Sequence, residues 1–115
     1  MPHLRIETSI AVDPSKIESL LAEAGKLAAE ELGKSIDYVQ VIFEDGKKMH
    51  FGGSSEPTAF VSLISLGVDA EQSVTLSTLF CEWLHDKLDI NPARVFLVFH
   101  EHPRSHFGWN KKTFA

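Results

Sequence analysis

Residues 94–101 read Arg-Val-Phe-Leu-Val-Phe-His-Glu, and from Val95 to Phe99 every side chain is apolar. A strand with one wet face alternates polar and apolar residues, so this unbroken run predicts a strand that is dry on both sides. Outward from it, the same pattern has a counterpart earlier in the chain. Phe99-His100 matches Phe43-Glu44, Val95 matches Val39, Leu88 matches Leu32, and Val68-Asp69 matches Val12-Asp13, all at one constant spacing. The chain therefore reads as two tandem copies of one unit, each a strand, a helix and a strand.

In the first copy, Pro2 to Thr8 is a strand. Asp13 is suited to cap a helix N-terminus, and Pro14 suits the first helical position, where the missing N–H has no bond to lose. Ile17, Leu20, Leu21, Ala24, Leu27 and Ala28 recur at helical spacing, and Gly33 takes the left-handed C-terminal position. Residues 37–45 form the return strand, closed by the turn pair Asp45-Gly46. The second copy runs from a strand at Thr58 to Leu66 into a helix capped by Asp69. That helix buries Leu76, Leu79, Phe80, Trp83, Leu84 and Leu88 on one stripe, and Arg94 to Glu101 returns.

Right-handed crossovers place both helices on one face of a four-stranded sheet, an α+β fold. The run at Val95 to Phe99 predicts that the other face is dry too. A chain of 115 residues, one domain spanning residues 1–115, holds no further layer to cover it, so the cover is expected to be another subunit.

Composition excludes several function classes. Hydrophobic residues make up 43% and charged residues 23%, an ordinary globular balance. The net charge is -5, the pI about 5.6, and the basic residues are scattered, which argues against a nucleic-acid partner. No apolar run reaches the length of a membrane span, and no basic-then-apolar leader opens the chain. A leaderless cytoplasmic protein is expected. Cys81 is the only cysteine, so no disulfide framework, CxxC or thiolate zinc site can form within the chain.

Several short motifs lie in order along the chain: Met1-Pro2, Gly33-Lys34, Met49-His50-Phe51-Gly52-Gly53-Ser54-Ser55-Glu56-Pro57, Ser65-Leu66-Gly67, Gly108-Trp109-Asn110 and Thr113-Phe114-Ala115. Each is weak alone, but their order and spacing over nearly the full length resemble the family of macrophage migration inhibitory factor and D-dopachrome tautomerase. The resemblance implies a tautomerase-like fold assembled as a homotrimeric barrel, with sites at the subunit boundaries. It also implies a keto-enol tautomerase of phenylpyruvate-like α-keto acids that needs no cofactor.

On this resemblance, removal of Met1 frees the secondary amine of Pro2 as the general base. An ordinary α-amino group has a pKa near 8, which leaves about one in ten as free base at pH 7. An apolar pocket and the cation of Lys34 would disfavour the ammonium and raise that fraction. Lys34 matches a lysine that grips the substrate carboxylate, and Leu66 a position whose backbone N–H binds the same group. Tyr38, Phe107, Trp109 and Phe114 match pocket walls. Each residue also has a plainer reading. Pro2 suits the start of an edge strand, Lys34 a solvated charge near a helix end, Leu66 a buried aliphatic, and the aromatics core or interface packing.

The chain departs from the family pattern where a neighbouring subunit is expected to contribute a tyrosine and an asparagine, since those positions read Phe96 and Val98. His3 and Ile64 also replace other residues near the mouth. Thr58 and Val61 stand where the family carries a redox CxxC, so no thiol-disulfide activity is expected. The alternative function is a cytokine-like, protein-binding trimer with vestigial catalysis and an unspecified receptor. His100, His102 and His106 suggest a metal site, but they lack an evident further ligand, and none is expected. Gly52-Gly53-Ser54-Ser55 lacks the following Lys of a phosphate loop, and Ser65 and Ser77 lack a triad context.

Overall fold

The computed structural model describes residues 1–115. Strand β1 is His3–Thr8, helix α1 Pro14–Leu32, strand β2 Gln40–Glu44, strand β3 Ala59–Ser65, helix α2 Ala70–Leu88 and strand β4 Val95–Glu101. A short hairpin of β5, Gly108–Trp109, and β6, Lys112–Thr113, closes the chain. The main sheet has the order β2-β1-β3-β4. β1 pairs with β2, and β3 with β4, in parallel, while the central pair β1 and β3 is antiparallel. The two copies thus meet back to back at the middle of one mixed sheet.

The caps form as the sequence predicts. Asp13 accepts from the Ser15 N–H, and Gly33 closes α1 at φ 64°. At α2, Asp69 and Gln72 satisfy each other's backbone N–H groups in a capping box. Asp89 closes that helix in the left-handed region at φ 54°.

Alternation along β1 and β3 decides which side chains meet the helices. Leu4, Ile6, Ala59, Val61 and Leu63 point inward and pack with Ala24, Ala28, Leu32, Leu76, Phe80 and Leu84. Trp83 and Leu88 are partly buried against this core, whereas Leu79 is half-buried outside it, so the buried stripe of α2 is narrower than expected.

The elements differ in detail from the sequence reading. The return strand expected over 37–45 starts only at Gln40, because residues Ile36–Tyr38 form a 3-10 turn whose entry is capped by Ser35 donating no bond but accepting one from the Asp37 N–H. An equivalent 3-10 turn, Pro92–Arg94, precedes β4 and shortens that strand to begin at Val95. The C-terminal hairpin had no clear signature, since its turn is made by Asn110 and Lys111 at φ 50° and 69° without a glycine.

The open face of the sheet is only partly apolar, which corrects the expectation of a uniformly dry surface. Phe60, Ile64, Phe96 and Val98 cover its β3 and β4 half, and Phe96 and Val98 are 61% and 36% exposed. On the β1 and β2 half, Arg5 bonds Glu44 at 2.8 Å and approaches Glu7, while Lys47 pairs with Glu44. The uninterrupted run in β4 arises because Leu97 and Phe99 serve the helix side while Phe96 and Val98 lie on the open one.

Candidate active site

Pro2 lies just ahead of β1, and its carbonyl accepts from the Gln40 N–H at 3.0 Å, which pins the chain start between β1 and β2. The Pro2 side chain is fully buried. The 3-10 turn after α1 brings Tyr38 to this end of the sheet, and the C-terminal hairpin folds back over it. Phe114 donates its N–H to the Phe107 carbonyl at 3.1 Å, and Arg104 Nε donates to the Phe114 carbonyl at 2.9 Å. These bonds hold an aromatic wall in place. Tyr38 meets Trp109 edge-on with centroids 5.2 Å apart, and Trp109 stacks on Phe114 at 6.0 Å with planes 9° apart.

The result is a cavity of about 280 Å3 with Met1 and Pro2 on one side and Tyr38, Phe107, Trp109 and Phe114 around it. Asp37 and Gln40 add polar atoms to its lining. The terminal amine of Met1 is held below the ordinary α-amino value, first by burial and then by the cations of Lys34 and Arg104. An apolar hollow with a deprotonation-prone amine beside two cations can take a planar anion and accept a proton from it.

The structure brings together Pro2, Tyr38, Phe107, Trp109 and Phe114 around one cavity. Lys34 acts on the terminal amine through its charge, but its side chain borders a separate groove along α1 rather than the aromatic cavity. Leu66 is buried just past the end of β3 and does not line the cavity. Phe96 and Val98 are elsewhere. Phe96 pairs across the sheet with Phe60, which pairs with Glu7 at the far end of β1 from Pro2, and its ring packs on Phe51 at 4.8 Å. Within one chain they cannot reach the cavity.

Sequence reasoning missed Arg104 and Asp37. Neither stands in a recognisable motif, and both owe their positions to 3-10 turns. His100, His102 and His106 do not converge with other side chains into a set able to hold a metal ion. No helix is long and apolar enough to cross a membrane.

A family model described as macrophage migration inhibitory factor matches residues 1–115. The chain belongs to the macrophage migration inhibitory factor family. Among relatives in this family, the macrophage migration inhibitory factor of Xenopus tropicalis is 34% identical and that of Meriones unguiculatus 35%, each over 116 residues and the full length of both chains. The crystal structure of a macrophage migration inhibitory factor homologue from Prochlorococcus marinus superposes with a TM-score of 0.92 at 32% identity, covering 98% of this chain and 99% of that one. Membership of the macrophage migration inhibitory factor family places the chain in the tautomerase superfamily and accounts for the two strand-helix-strand copies and the mixed sheet.

Proposed function

We propose that this protein is a keto-enol tautomerase of aryl α-keto acids such as phenylpyruvate, with the Pro2 nitrogen as its base once Met1 is removed. The observation that carries the reading is the chain start itself: an amine depressed by burial, Lys34 and Arg104 lies on an aromatic cavity. Loss of Met1 would uncover the next nitrogen inward, that of Pro2, to the same surroundings.

The free amine takes a proton from the carbon beside the ketone, and the electron pair moves onto the carbonyl oxygen as an enolate. The ammonium then returns the proton to that oxygen. Lys34 and Arg104 offset the enolate and carboxylate charge, an electrostatic role that needs no cofactor. Tyr38, Trp109 and Phe114 hold the aryl group.

A homotrimer goes with this reading. The exposed Phe96 and Val98 form an apolar strip that a second copy would cover, and it would set them by a neighbour's cavity. Leu66 would then contribute its backbone N–H at the completed boundary. In place of the family's tyrosine and asparagine, Phe96 and Val98 offer no hydrogen bond, which also favours a second reading: a protein-binding trimer with residual catalysis.

Ultraviolet measurement of enol-ketone conversion separates the two. Met-free protein should turn over phenylpyruvate and lose most of that activity in Pro2→Ala; equal rates in both would remove Pro2 from the mechanism. Saturable binding of a protein partner that persists in Pro2→Ala, without turnover, would establish the second reading.

A further inference from the structure

The aromatic cavity continues sideways into a second, shallower hollow of about 390 Å3, with which it shares His3, Gln40, Phe107 and Gly108. Ile64, His102 and His106 complete that second wall. Three imidazoles therefore border one hollow, and no carboxylate lines it. They come from β1, from the residue after β4, and from the 3-10 turn Arg104–His106. They are not arranged to hold a metal ion.

Hydrogen bonds hold two of these rings. His3 Nδ1 lies 2.8 Å from Gln40 Oε1. An amide oxygen can only accept, so Nδ1 carries the proton of this bond. His106 Nδ1 is likewise engaged, 2.8 Å from Ser105 Oγ, which leaves its Nε2 for a ligand.

The hollow offers imidazole N–H donors over the apolar floor of Ile64 and Phe107. Other charged groups on the surrounding elements are placed elsewhere. Arg5 is paired with Glu44 and Glu7, Asp37 lines the aromatic cavity, Arg104 bonds the Phe114 carbonyl, and His100 and Glu101 line neither hollow.

We infer that this histidine-bordered hollow is a subsite for a second carboxylate, so that the favoured substrate is a diacid: an α-keto acid whose tail ends in another carboxylate. The inference rests on the tautomerase reading, because the reacting end of the substrate occupies the aromatic cavity.

The test compares phenylpyruvate with 4-carboxyphenylpyruvate, by calorimetric binding to Met-free protein and by enol-ketone conversion. The diacid should bind about tenfold more tightly than the monoacid, as charge-assisted hydrogen bonds do. That advantage should fall in His102→Gln and in His106→Gln. Equal binding of the two acids, or an advantage that survives in both variants, overturns the subsite. The expected binding pattern without turnover of either acid refutes the tautomerase reading and leaves the subsite standing; turnover of both acids without preference does the reverse.

Discussion

Tyr38 and Trp109 meet edge to face with their ring centroids 5.2 Å apart and their planes at 81°, joining the turn after α1 to the C-terminal hairpin. The two residues are far apart in the chain, and their contact closes one side of the aromatic cavity. Trp109 also stacks on Phe114, so it is shared by two aromatic contacts.

Trp109→Ala should therefore open the cavity rather than unfold the protein, because Trp109 stands outside the main core. Aromatic pairs contribute about 0.5–1.5 kcal/mol each beyond buried area, so KM for an aryl α-keto acid should rise about tenfold. Steady-state kinetics of the Met-free variant, with thermal unfolding as a control, check this.

The pH profile follows from the terminal amine. The pKa of the Met1 amine is lowered by burial, Lys34 and Arg104, and the Pro2 amine freed by loss of Met1 would take over those surroundings, so its free base should persist to lower pH than that of an ordinary α-amino group. The acid limb of kcat/KM in Met-free protein should lie below the ordinary value of about 8. Removing either cation relieves part of the shift, and the limb should move upward in Lys34→Ala and in Arg104→Ala. A limb that stays in place in both variants would assign the shift to burial alone.

Arg94 holds the loop before β3. Its guanidinium donates to the carbonyls of Phe51, Ser54, Glu56 and Pro57 at 3.0–3.1 Å and lies 5.3 Å from the centre of the Phe51 ring. Lysine cannot reproduce that planar fork. In Arg94→Lys, amide exchange should speed up over residues 51–57, with a stability loss of about 1–3 kcal/mol from the carbonyls left without donors.

Phe80 is fully buried between α2 and the sheet. Phe80→Ala should cost about 3–5 kcal/mol, read from urea unfolding, because the cavity it leaves cannot close completely.

Restoring the polar pair tests the boundary. Phe96→Tyr with Val98→Asn should raise kcat/KM for hydroxyphenylpyruvate about tenfold by supplying a bond to its hydroxyl. The gain should vanish in protein that sedimentation shows to be a single chain, since Phe96 and Val98 do not reach the cavity of their own chain.

Much of the architecture was legible because helix and strand periods are local records of burial. Leu20, Ala24 and Ala28 repeat at helical spacing, Leu4 and Ile6 at strand spacing, and Asp13, Gly33 and Asp69 mark where each helix begins or ends. The short 3-10 turns were not legible. Residues Ile36–Tyr38 look like the start of a strand until the Ser35 hydroxyl accepts the Asp37 N–H, a bond that composition does not reveal.

From the sequence alone came the duplication, the two capped helices, and the motifs that place Pro2, Tyr38, Trp109 and Phe114 in one family pattern. Only the tertiary structure decided that these four share a cavity, that Arg104 stands with Lys34 near the amine, that Lys34 faces a different groove, and that Phe96 and Val98 lie apart from them all. The reason is physical: a local pattern records which side of an element is dry, whereas the meeting of both chain ends depends on long-range packing and on turn geometry that no short stretch encodes.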